Sequence, residues 1–222
     1  MPWLRQQTGA EVAIHITAVI NQKGGAGKTT LAMNLAAGLV RRAATVVIDL
    51  DPQGSSLQWA STGGAPFPAT VKQVNGKWDV QSLVQTFRAY RHIVLDCPPS
   101  LDSVASQQAL RVCNVALIPV LPSPIDLWAS LRLPQEIEEA RKANGNLKAY
   151  LVLNQLEPKS ALSAAMHDAL AEFGIPVLET AIRRRAAYRS AALEGVSVYQ
   201  MGSRGVHAAA EIEAIINEVI RT

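Results

Sequence analysis

A chain of 222 residues, 49% hydrophobic and 18% charged, fits one globular domain with its own core. Its 21 Lys and Arg against 18 Asp and Glu leave a net charge of +3, which permits a nucleic-acid partner without demanding one. Two cysteines, Cys97 and Cys113, exclude a disulfide framework and agree with a reducing cytoplasm, and no uninterrupted apolar run reaches the ~20 residues that span a bilayer.

Residues 1–11 read as a short mixed N-terminal extension without the apolar stretch of a signal peptide, and 12–222 as a single domain. Val12–Ile20 is apolar, Leu31–Val40 is amphipathic, and between them stands Gln22-Lys23-Gly24-Gly25-Ala26-Gly27-Lys28-Thr29-Thr30. That order predicts a strand, a glycine-rich loop and a helix from Lys28 to Arg42. Glycines let consecutive backbone N–H groups converge on one anion, and the helix adds the positive end of its dipole. Lys28 supplies a mobile charge for terminal phosphates, and the Thr29 hydroxyl suits Mg²⁺. Aligned on Gly27-Lys28-Thr29, Gln22 stands where the common phosphate loop has a glycine, and Lys23 adds a second lysine. In this form, K-G-G-x-G-K-T, the sequence resembles the ParA/MinD group of deviant Walker A ATPases. The resemblance implies ATP and Mg²⁺ as cofactors, held by Gly24, Gly25, Ala26, Gly27, Lys28, Thr29 and Thr30.

Thr45–Leu50 predicts a second strand, which ends in Asp49 and Asp51, two residues apart and therefore on one side of the strand end. Such a pair either orders Mg²⁺ or a nucleophilic water, or merely punctuates a strand terminus with Asp-Pro and Gly. Asp49-Leu50-Asp51-Pro52-Gln53-Gly54 resembles the switch I segment of the same group, which implies that Asp51 positions or activates the attacking water and that Asp49 lies near the Mg²⁺ shell. Residues 55–76 lose periodicity and read as a loop with Gly63-Gly64, Pro66 and Pro68. Helical spacing returns over Val80–Tyr90. The apolar strand His92–Leu95 then delivers Asp96, the Walker B form in which a carboxylate holds Mg²⁺. The following Cys97-Pro98-Pro99-Ser100 resembles switch II. His92 reads as an ordinary strand-edge residue. The two cysteines, without a C-x-x-C pair, read as small buried residues rather than ligands of a cluster.

Val115–Val120 is a further strand, and Leu121-Pro122-Ser123-Pro124 a rigid exit turn into a long helix, Leu127–Ala143. The turn at Pro122 supports an adenine ring or a dimer surface, or is a plain loop; its Pro-Ser-Pro is similar to the small ParF-like branch of the group. Leu147–Leu153 ends in Asn154, whose amide offers a donor and an acceptor for adenine's edge; the resemblance implies a base contact. A helix over Ser160–Phe173 and a short strand, Ile175–Val177, come next. Arg183, Arg184, Arg185 and Arg189 form the one dense basic cluster, either a solvated helix start or a patch for the DNA backbone. The last helix, Val206–Ile220, sets Ile212, Ile215, Ile216 and Val219 against Glu211, Glu213 and Glu218. A helix on anionic lipid carries Lys and Arg on its polar face, so this one reads as a core helix, and no membrane partner is expected.

Short apolar runs alternating with helices predict an α/β fold, a doubly wound, mostly parallel sheet flanked by helices with ligands at the strands' carboxyl ends. The resemblance covers Ile14 to Ile220. It implies a homodimer with ATP sandwiched between subunits, in which Lys28 binds its own subunit's phosphates and Lys23 reaches the partner's nucleotide. It also implies non-specific DNA binding by that dimer over the nucleoid, and an adaptor protein that stimulates hydrolysis. The stretch before the loop is too short for a helix-turn-helix domain. The cargo stays open between plasmid or chromosome DNA and a protein cargo such as a carboxysome or chemotaxis cluster, with a metal-cluster assembly ATPase as a third alternative.

Overall fold

The apolar runs pair into one sheet. A computed structural model describes residues 14–74, 78–157, 169–170 and 172–220. Its strands are β1 (His15–Val19), β2 (Thr45–Asp49), β3 (Thr70–Gln73), β4 (His92–Asp96), β5 (Val115–Val120) and β6 (Lys148–Leu153). They are parallel throughout, in the order β3-β2-β4-β1-β5-β6. The chain winds outward from β1 through β2 and β3, returns to fill the gap with β4, then winds the other way. Loops that leave β1 and β4 therefore diverge at a switch in winding direction, where such sheets open a crevice.

The helices are α1 (Lys28–Leu39), α2 (Ser55–Thr62), α3 (Val80–Thr86), α4 (Val104–Val112), α5 (Pro124–Ala129), α6 (Leu133–Ala143), α7 (Ala186–Glu194) and α8 (Val206–Val219). Successive strand residues point to opposite faces, so the sheet feeds two cores. Ile16, Ala18, Ile48 and Leu95 pack with Leu83, Leu110 and Ile137 from α3, α4 and α6. Val19, Val47, Val94 and Leu117 pack with α1, with Trp59 of α2, with Ala191 of α7 and with Ile212 and Ile216 of α8. The apolar face of α8 is thus buried in the second core, as its sequence pattern predicts.

Several expectations need correction. Residues 55–76 contain α2 and β3 rather than a plain loop: α2 buries only Ser56 and Trp59, and β3 is a partly exposed edge strand, so neither leaves an apolar run. Helix α4 sits where no element was expected, capped by the Ser103 hydroxyl, which accepts from the Ser106 N–H at 3.1 Å. The helix expected over Leu127–Ala143 is interrupted by a 3₁₀ turn at Ser130–Arg132, because Pro134 at the start of α6 has no N–H to continue an α-helical ladder. Ile175–Val177 contributes a single parallel bridge, Leu151 to Val177. The expected helix Ser160–Phe173 and the extension 1–11 lie largely or wholly outside the described residues.

Gly38 is where α1 meets α8. A Cβ there would run into the Tyr199 hydroxyl and lie 2.6 Å from Ile216 Cδ1. Gly38→Val should cost about 1–3 kcal/mol through overpacking. A urea titration would then show a lower midpoint at unchanged slope; an unchanged midpoint would mean that the two helices are not close-packed here.

Candidate functional site

The loop after β1 has the backbone that an anion cradle needs. Gly25 and Gly27 hold φ of 77° and 90°, left-handed conformations open to glycine. Gly27 precedes α1 and no side chain caps that helix, so its first-turn N–H groups are left for a ligand. A Cβ at Gly27 would also collide with the Asn154 amide. Ala26 is fully buried, with its carbonyl accepting from Asn154 Nδ2 at 2.7 Å. Lys28 is 8% exposed and donates from Nζ to the Lys23 carbonyl at 3.0 Å. Burial holds its ammonium below the usual lysine range, opposed by the nearby Asp96 carboxylate.

The register sets Asp49 beside Asp96, and Asp96 beside Val19, at the carboxyl ends of three adjacent interior strands. Asp96 is 1% exposed. Its Oδ2 accepts from Ser56 Oγ at 2.7 Å, while its buried Oδ1 has no hydrogen-bond partner. Burial pushes its carboxyl up to about 7, moderated by the Ser56 and Thr29 hydroxyls. A buried carboxylate oxygen with no donor, beside a threonine hydroxyl and an uncapped helix, fits a hydrated dication. Asp96 and Thr29 are the residues that could hold Mg²⁺. Asp49, expected beside the metal, is engaged otherwise. Its Oδ2 accepts from the N–H groups of Ser56 and Leu57 at 2.8 and 3.1 Å, and its Oδ1 from that of Asp51 at 3.1 Å. It anchors the start of α2, and burial holds its carboxyl above the usual range against those backbone donors. Asp51 is partly exposed at the site's mouth; its carboxylate accepts from Gln53 N–H at 3.0 Å and its carbonyl from Gln73 Nε2 at 3.2 Å.

On the other side of the loop is a cavity of about 200 Å³ whose walls include Gly27, Thr30, Gln155, Arg183, Arg184 and Arg189. The expected base contact, Asn154, has its amide occupied: Nδ2 binds the loop carbonyl, and Oδ1 accepts from Gln155 N–H at 2.9 Å. It clamps the loop and lines the cavity together with Gln155, whose φ is 55°. The arginine cluster, read from sequence as a solvated helix start or a DNA-backbone patch, adjoins the loop. Arg184 pairs with Glu157 and Arg185 with Glu211, both at 2.7 Å. Pro122 is not among the residues that wall this cavity. Its turn leads into α5, where Asp126 receives the Lys23 ammonium at 2.7 Å. His92 is buried at the opposite ends of the strands, where burial and His15 hold it down at about 4. Cys97 and Cys113 are buried thiols, both pushed up by burial, Cys113 to about 12, so neither is a ready thiolate ligand.

Sequence reasoning missed Ser56, Gln155 and Asp126. Ser123-Pro124-Ile125-Asp126 has capping-box spacing, which could have placed Asp126 at a helix start but not against Lys23.

These features define a nucleotide-binding P-loop domain. Residues 17–198 match the model of the CobQ/CobB/MinD/ParA nucleotide binding domain, and the chain belongs to that family. It is 49% identical over 205 residues, 91% of this chain and 95% of the other, to the "maintenance of carboxysome distribution protein A" of Halothiobacillus neapolitanus. A protein of the same name from Gloeobacter kilaueensis is 35% identical over 208 residues, covering 93% and 94% of the two chains. An ATP complex of a McdA variant from Cyanothece superposes with a TM-score of 0.71 over 94% of this chain and 98% of that one, at 15% identity. The chain is a ParA-type ATPase by family.

A Mg²⁺ ion held by Asp96 would have to displace a proton from it below about pH 7. The Mg²⁺-dependent part of ADP affinity should fall about tenfold per pH unit below that point. Titrations with EDTA in place of Mg²⁺ carry the nucleotide's own ionisation. An equal pH slope with and without Mg²⁺ would remove Asp96 from the metal's partners.

Proposed function

We propose that this chain is an ATP hydrolase that forms a homodimer around ATP, binds DNA without sequence preference over the nucleoid, and positions carboxysomes through an adaptor that stimulates hydrolysis. The observation that carries the ATPase reading is the unpartnered buried oxygen of Asp96 beside an uncapped phosphate loop. The cargo rests on the 49% identity to a carboxysome distribution protein, over 95% of that protein's length.

Each residue has a task its position suits. The loop N–H groups and Lys28 bind and orient the phosphates. Thr29 and Asp96 hold Mg²⁺, which when bound draws charge from the phosphate oxygens. Asp51, partly exposed on a pinned backbone, orients the attacking water and excludes unproductive ones. Lys23, whose ammonium pairs with Asp126 of α5 in the single subunit, stabilises charge on the partner's nucleotide. Beside it on α5, Ile125 and Trp128 are 65% and 66% exposed, and we place the second copy of the chain against them, continuous with the edge from which Lys23 crosses. The cavity walled by Gln155 and Arg183 takes the nucleoside. Arg183 and Arg189, whose guanidinium groups have no carboxylate partner among the described residues, supply the charge for DNA.

Asp51→Ala should bind ATP and Mg²⁺, dimerise and stay on DNA, with turnover reduced at least a hundredfold. DNA retention compared under no nucleotide, ADP and ATP, for wild type and variant, tests the cycle. Retention independent of nucleotide would overturn it. In the host, deletion should leave carboxysomes clustered while plasmids and chromosome are inherited normally; plasmid loss with evenly spaced carboxysomes would return the cargo to DNA. Replacing Arg183 and Arg189 with Ala should lower DNA retention and reduce its salt slope by about 1 per lost contact at unchanged ATP affinity. An unchanged slope would place the DNA surface elsewhere.

A further inference from the structure

A second cavity opens at the amino ends of the strands, away from the phosphate loop. It has a volume of about 820 Å³, and its walls include His15, Asn114, Asn146, Lys148, Tyr150 and Glu218. Strand parity explains where it lies. His15, Val115, Lys148 and Tyr150 share a face with Val19 and Leu117, the face that α8 covers. Helix α8 reaches only the cavity's wall, at Glu218 and Val219. The five residues of β1 alone set His15 about 15 Å from the loop, so a nucleotide on the loop leaves this cavity free.

The walls carry donors in excess of acceptors. Asn114 Oδ1 accepts from the Ile16 N–H at 2.7 Å, which leaves its NH₂ group for a ligand. Lys148 is exposed, and its ammonium has no carboxylate partner among the described residues. Asn146 and Tyr150 add an amide and a phenol. His15 Nδ1 meets the Thr17 hydroxyl at 3.4 Å, which leaves Nε2. The wall's carboxylate is already engaged: Glu218 accepts from the N–H groups of Glu179 and Thr180 at 3.0 and 2.9 Å, and from the Thr180 hydroxyl.

The surrounding charge has one sign. The His15 N–H donates to the Arg91 carbonyl at 2.9 Å, and the His92 ring lies 6.1 Å away. Burial, then Arg91 and Lys148, hold His15 below its ordinary range. The carboxyl end of α8 brings about half an elementary negative charge, which Lys148 alone exceeds. Spare donors beside an unpaired ammonium suit an anion. Phosphate fits better than carboxylate, because its three oxygens accept from more donors than two can. The volume is in the range of pockets that hold a whole small molecule, far beyond one phosphate ion.

We propose that this cavity is a second binding site, for a phosphate-bearing anion of nucleotide size held by Lys148, His15, Asn114 and Asn146. A free nucleotide-sized anion and a nucleic-acid backbone present the same groups to these donors. The site goes beyond the hydrolase reading and needs neither its dimer nor its cargo.

The test keeps the loop filled with ADP and Mg²⁺, so that an added phosphate compound reports on the cavity. Histidine NMR follows the His15 ring, identified by its loss in His15→Asn, while sodium pyrophosphate or a short DNA duplex is added. At least one probe should shift the His15 signals to saturation and raise the His15 pKa, since the phosphate offsets Arg91, Lys148 and His92. Saturation by pyrophosphate assigns the site to a free anion, and saturation by the duplex alone assigns it to nucleic acid. Lys148→Ala should weaken the binding about tenfold at unchanged ADP affinity, the scale of one charge-assisted contact. Lys148 is exposed at the start of an edge strand, so its replacement does not touch the core. Arg111→Ala, which removes an exposed charge from α4, should bind as the wild type does. The proposal is overturned by an absent shift with both probes, or by a shift no larger than sodium sulfate gives at equal ionic strength. Equal losses in Lys148→Ala and Arg111→Ala, or no loss in either, overturn it as well.

Discussion

Two buried carboxylates on neighbouring strands are the constraint around which the site is built. Asp49 and Asp96 are opposite each other in the β2–β4 register, roughly 5 Å apart along the ladder direction. Both are removed from water, and each raises the cost of charging the other. The fold relieves them unequally. Asp49 receives three backbone N–H groups, whereas Asp96 receives hydroxyls and keeps one oxygen without a donor. A backbone donor leaves only if the start of α2 unwinds, while a hydroxyl can rotate away. Asp49 is therefore fixed to structure and Asp96 is free to change partners, which separates the anchor from the cation site.

The same arrangement ties the turn after β2 to the metal side. Ser56 donates its N–H to Asp49 and its hydroxyl to Asp96, so one residue on the first turn of α2 touches both carboxylates. Were Asp96 to take a cation, the Ser56 hydroxyl would have to adjust on a helix start suspended from Asp49. Asp51 lies in that same turn, its N–H bonded to Asp49 and its carbonyl to Gln73. A change at the buried carboxylate would thus reach Asp51, the residue proposed to orient the water, through a few hydrogen bonds and no large motion.

What was legible in the sequence was what chemistry or periodicity writes locally. β1, β2, β4, β5 and β6 are buried on both faces and leave apolar runs; β3, a half-exposed edge strand, leaves none. The phosphate loop was legible because glycine and lysine spacing is itself the mechanism. Long-range partners were not. Asn154 was visible as an amide at a strand end, but its actual partner, the Ala26 carbonyl, lies 128 residues away. Arginine density was plain, but the counter-charges Glu157 and Glu211 stand 27 and 26 residues from Arg184 and Arg185. Asp126 carries no periodicity that would link it to Lys23.

Those counter-charges bear on how so small a chain would grip DNA only when loaded. Arg184 and Arg185 are each neutralised by a carboxylate of their own subunit, which leaves Arg183 and Arg189 as the cluster's cations whose guanidinium groups have no carboxylate partner among the described residues. About two phosphate contacts shift the logarithm of affinity by only about 1.8 per tenfold change in salt, the range of weak non-specific binding. Two subunits in one assembly present that set twice on a single body, and the second set then engages at an effective concentration instead of the bulk one. DNA retention would follow the dimer by this arithmetic alone, with no rearrangement of the arginine segment. In the proposed dimer, the event that carries Lys23 across to a partner and the event that makes the DNA surface strong enough to hold would be the same event, and hydrolysis would undo both by separating the halves.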